Sequence, residues 1–173
     1  MNINKFLSYL FFPGITIHEL AHATACVLLG VKIKKTKLFS FTDGYVVFDD
    51  SKSYNNILIS IFPFFFNIAF AVLSAFLIKT GTSLLLTILL IWLSLSALFF
   101  CVPSKQDARN VFEAVKKTYT ESQPIYMWLL KIILLPLTLL LLILSVFFWI
   151  FDNSFLFRVL LIALWFYLLV IIL

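Results

Sequence analysis

Charge is scarce in this chain: only 12% of its 173 residues are Asp, Glu, Lys or Arg, against 63% that are hydrophobic. Such a balance cannot cover the surface of a water-soluble domain, so most of the chain is expected to sit in lipid. Cysteine is limited to Cys26 and Cys101, both inside apolar runs, which excludes the disulfide framework of a small secreted domain. There is no internal repeat. Histidine also occurs only twice, and any metal or acid–base chemistry that needs imidazole must use those two.

Five apolar runs, at 6–29, 54–79, 83–102, 125–151 and 154–173, match or exceed the roughly 20 residues that cross about 30 Å of hydrocarbon. The expected fold is an all-α polytopic membrane protein. It has about five transmembrane helices, a small cytoplasmic β-hairpin after the first and an interfacial helix after the third, in a single integral membrane domain over 1–173. The net charge of +5 does not point to nucleic acid, because the basic residues lie in short loops beside the spans. Lys32, Lys34, Lys35, Lys37, Lys52, Lys105, Arg109, Lys116, Lys117 and Lys131 fall on one side, and Lys5, Lys79 and Arg158 on the other. That asymmetry puts the loop after the first span in the cytoplasm, and the cell membrane is the expected location.

Pro13-Gly14 interrupts the first run, so the helix over its second half is expected to begin near there and to end at Gly30. Alternating residues from Val31 to Phe39 and from Tyr45 to Phe48, separated by Thr42-Asp43-Gly44, predict the hairpin. Ala108, Val111, Phe112, Val115 and Tyr119 recur at helical spacing in the polar stretch 104–123, which predicts a helix lying along the interface.

Both histidines sit in the first run, in His18-Glu19-Leu20-Ala21-His22. Residues four apart share a helix face, so His18 and His22 can present ring nitrogens to one zinc ion. Glu19, about 100° round the helix, is then free to act as general base toward a water whose pKa the ion lowers. Burying these groups unused in lipid would cost several kcal/mol. A catalytic zinc site needs a third protein ligand and an open fourth position. Asp107 is the first candidate, just after the third run and on the flank of the helical stripe, whereas Glu113 points away from that stripe. Ser104-Lys-Gln-Asp107 also has the pattern of a helix cap with an acid at the third position. Because His22 lies about 12 Å inside the end of its span, the chain around Pro103 has to dip inward to bring Asp107 near, with Cys101 as the reserve ligand. Asn67, at about the depth of His18, is a candidate to bind substrate or its oxyanion, or else to hydrogen-bond between helices.

Taken together, His18-Glu19-x-x-His22, the basic hairpin with Gly44-Tyr45-Val46 after Gly30, and Pro63 with Asn67 in the next run resemble the site-2 protease family of intramembrane zinc metalloproteases. The resemblance implies a core at about 6–120, with two further spans over 125–173, and a single Zn2+ held by His18, His22 and Asp107. It also implies cleavage of membrane-anchored proteins or peptides near the bilayer, with the site opening to the cytoplasm. A helical peptide bond is shielded, so the substrate would unwind and add as a strand to an exposed edge of the hairpin. The competing expectations are a metalloprotease acting on soluble peptides at the membrane surface, with Glu113 as third ligand, and a non-catalytic metal-binding or scaffold protein that retains the motif.

Overall fold

The computed structural model describes residues 3–50 and 52–120, together with 136, 139–140, 142–143, 146–147, 159–160 and 162–167. Its elements in chain order are α1 (Ile3–Leu10), α2 (Phe12–Leu28), β1 (Ile33–Lys37), β2 (Tyr45–Phe48), α3 (Ser53–Lys79), α4 (Leu84–Phe99) and α5 (Lys105–Thr120). The expected first span is thus two helices. Pro13 has no N–H to give to the preceding turn, so the chain breaks at Phe11 and restarts with the proline in the first turn of α2.

At its other end α2 closes in a Schellman motif. Gly30, at φ 66°, donates to the Val27 carbonyl and Val31 donates to that of Cys26. The glycine takes the left-handed conformation that β-carbons disfavour. Val31, Cys26 and Ala25 then pack with Ile59 of α3, and Ile33, Val46 and Phe48 of the hairpin close over them.

β1 and β2 pair antiparallel, with an irregularity between Ile33 and Lys35. The connection between them does more than turn at a surface. It runs back along α2, so that Phe39 and Phe41 pack on Phe12 with ring centroids 5.6 and 4.8 Å apart, and Phe12 meets Trp92 of α4 at 5.7 Å. These aromatics anchor the loop at the first turn of α2. Ser40 Oγ accepts the Thr42 and Asp43 N–H groups, a local side-chain-to-backbone arrangement typical of turns.

α3 alone among the described residues is long and apolar enough to cross a bilayer, and α4 is a shorter apolar helix. The spans expected over 125–151 and 154–173 fall largely outside the described residues. One face of α3 carries Ser60, Pro63, Asn67, Ala71 and Ser74, all buried, at the three- and four-residue spacing of a helix stripe, and these small side chains let neighbouring helices approach closely. The outward faces expose Phe65, Val72, Phe76, Leu84, Leu85 and Ile88, an apolar surface suited to lipid.

α5 is amphipathic as its spacing predicts and packs against α3, with Asp107, Ala108, Val111, Ala114 and Val115 buried. Phe112, of the stripe expected along the interface, is exposed.

Candidate metal centre

His18 and His22, one turn apart on α2, face Asp107 from the first turn of α5. His22 Nε2 lies 3.2 Å from Asp107 Oδ1 and His18 Nε2 lies 3.6 Å from Oδ2. All three residues are buried, and one ligand atom from each falls within 4.8 Å of the others. Those separations are close to the edges of a tetrahedral zinc site, about 3.4 Å for metal–ligand bonds of about 2.1 Å. The required inward turn is present: Cys101, Val102 and Pro103 are buried where α4 ends.

Each imidazole is held from behind. His18 Nδ1 bonds to the Phe100 carbonyl at 2.8 Å, and His22 Nδ1 to the Ile59 carbonyl at 2.9 Å. A carbonyl only accepts, so both Nδ1 atoms carry the proton and each Nε2 of a neutral ring turns a lone pair toward Asp107. Two such lone pairs facing a carboxylate repel unless protons or a cation lie between them. The donor set therefore fits a divalent ion.

Asp107 satisfies both parts that its position suggests. Its Oδ2 accepts from the Ser104 backbone N–H at 2.9 Å and from Ser104 Oγ at 2.7 Å, and its own N–H reaches Ser104 Oγ at 3.2 Å. This reciprocal capping box closes the start of α5 and fixes the carboxylate plane, leaving Oδ1 turned to His22.

Glu19 stands outside the three-residue cluster and lines two small cavities beside it. One, of about 190 Å³, also has His18, Thr42 and Gly44 in its wall; the other, of about 130 Å³, has His22, Gly44 and Asp107. Gly44 is what makes room for it, since a β-carbon there would sit 2.4 Å from Glu19 Cγ. Asn67 is wholly buried. Its Nδ2 donates to the same Phe100 carbonyl that His18 uses, at 3.0 Å.

The structure thus brings His18, His22 and Asp107 together with Glu19 beside them. Glu113 instead lines the outer grooves beside α5, and Cys101 packs with Val102 and Ala108. Sequence reasoning missed the two backbone carbonyls and the part of Gly44; for the Ile59 carbonyl, Pro63 was the available signal.

Among known proteins, the family model described as Peptidase M50B-like matches residues 4–131. No curated protein and no solved structure matches the chain.

Elemental analysis of protein purified in detergent is expected to find one divalent ion per chain in wild type, Glu113→Ala and Cys101→Ala, and none at stoichiometry in His22→Ala or Asp107→Ala. Ion retained by Asp107→Ala but lost by Cys101→Ala would move the third ligand to sulfur.

Proposed function

The chain belongs to the Peptidase M50B-like family, and from that premise we propose that it is a membrane-embedded zinc endopeptidase acting on membrane-anchored proteins. The observation that carries the proposal is the convergence of His18, His22 and Asp107 within 4.8 Å, beside a carboxylate that is not itself part of the cluster. A zinc ion held by the three would supply Lewis acidity toward water and a peptide carbonyl. Glu19, which lines both cavities, would take a proton from the attacking water and return it to the leaving amine. The apolar outer surface of α3 and α4 supports action within the bilayer rather than on soluble peptides.

A groove of about 790 Å³ runs between β2 and α5. It shares Val46, Phe48, Gln106 and Asn110 with the cavity that contains Glu19, His22 and Asp107, so it leads into the site. An unwound substrate segment laid along β2 would reach Glu19 through it, with backbone pairing supplying affinity. Asn67 enters through Phe100: by occupying that carbonyl beside His18 Nδ1, its amide helps fix the group that orients the ligand. Contact with the oxyanion would call on the second N–H of the same amide.

Three outcomes are expected with a membrane-anchored reporter substrate in proteoliposomes. Glu19→Gln keeps its zinc and loses activity about 100- to 10,000-fold, and Gly44→Ala, by displacing Glu19, loses up to about 100-fold with zinc also kept; unchanged cleavage in Glu19→Gln would favour a non-catalytic metal-binding scaffold. A proline in β2, at a position whose N–H faces the groove, is expected to abolish cleavage while zinc content stays constant, and an undiminished rate would remove strand addition.

A further inference from the structure

Pro63 lies inside α3, which continues unbroken from Ser53 to Lys79. In an α-helix the N–H of residue 63 would bond to the carbonyl of the residue four before it, which is Ile59. Proline has no N–H, so that carbonyl is released from the helix ladder. Ile59 is fully buried, and a carbonyl left without a partner in such a place is costly. The Ile59 oxygen is the atom that accepts His22 Nδ1, at 2.9 Å.

We infer that Pro63 is a positioning residue for the metal centre: by withholding its N–H it dedicates the Ile59 carbonyl to His22, setting the tautomer and ring orientation that aim Nε2 at Asp107. The inference rests on the metal-binding part of the proposed function and adds to it a residue that touches neither ion nor substrate. Asn67, one turn along the same buried stripe, lies next to Phe100, so α3 supports both imidazoles: His22 directly through its own carbonyl, and His18 through the amide at Phe100. The helix carries no ligand itself, yet it sets where both ligands point.

An alternative would be that Pro63 merely shapes α3. The two parts separate cleanly, because replacing a helix-interior proline by alanine returns a hydrogen bond to the helix and removes a clash. A purely structural proline therefore predicts that Pro63→Ala leaves zinc affinity unchanged. If Pro63 positions His22, the restored N–H of residue 63 competes for the Ile59 oxygen, and the imidazole loses part of its hold.

The test uses the full chain purified in detergent, with zinc affinity measured by chelator competition and thermal unfolding measured on the metal-free protein. Pro63→Ala is expected to unfold at the same or a higher temperature than wild type and to bind zinc about 10- to 100-fold more weakly, the range that follows loss of a partner behind a ligating histidine. Equal zinc affinity in the two proteins would overturn the inference while leaving the metal site intact. A wild type that binds no zinc would overturn the proposed function and this inference with it. A further measurement needs no variant: nitrogen-15 NMR of histidine-labelled, zinc-loaded wild type is expected to show His22 ligating through Nε2 with a slowly exchanging Nδ1–H. Ligation through Nδ1 would exclude the part assigned to Pro63 even if the alanine variant failed to fold.

Discussion

Two backbone carbonyls that their own helices cannot use hold the centre of this molecule in shape. One is that of Ile59, freed because Pro63 has no N–H to offer it. The other belongs to Phe100, the residue that caps α4, where the last carbonyls of a helix lack partners by geometry. Each accepts the Nδ1 proton of one histidine. An apolar interior makes both halves of the exchange necessary, since an unpaired carbonyl and a freely rotating imidazole would each be costly there. A helix defect and a helix end are thereby converted into orientation of a buried imidazole pair.

Asp107 follows a similar economy. The residue that completes the cluster also completes the cap of α5, and Ser104 serves it with two donors while accepting its N–H. Ligand and cap are compatible because the carboxylate has two oxygens: Oδ2 is directed to Ser104 and Oδ1 to His22. The carboxylate is consequently fixed to the start of a helix that packs against α3 and buries Ala108, Val111, Ala114 and Val115. The hairpin connection adds the last element, bringing Gly44 against Glu19 where no β-carbon fits.

Much of this was legible in the sequence because it is encoded by local spacing. The restart of the helix at Pro13, its end at Gly30, both strands and α5 follow from residue types within a few positions of one another. The pairing of His18 and His22 needs only the helix repeat, and Asp107 could be chosen because few acids lie at the right end of the chain. What escaped depends on contacts between elements. Counting four residues back from Pro63 identifies Ile59 as a released carbonyl, but only the packing of α2 on α3 shows that His22 receives it. The reach of Phe39 and Phe41 back to Phe12 likewise depends on how the hairpin docks, and periodicity alone does not contain that information.

The most direct measurement is X-ray absorption at the zinc edge on protein purified with its metal. Two imidazole nitrogens and at least one carboxylate oxygen at about 2.0–2.2 Å, with no sulfur in the shell, are the expected coordination. A scatterer at about 2.3 Å, the zinc–thiolate distance, or a shell containing fewer than two imidazoles, would contradict a centre built from His18, His22 and Asp107.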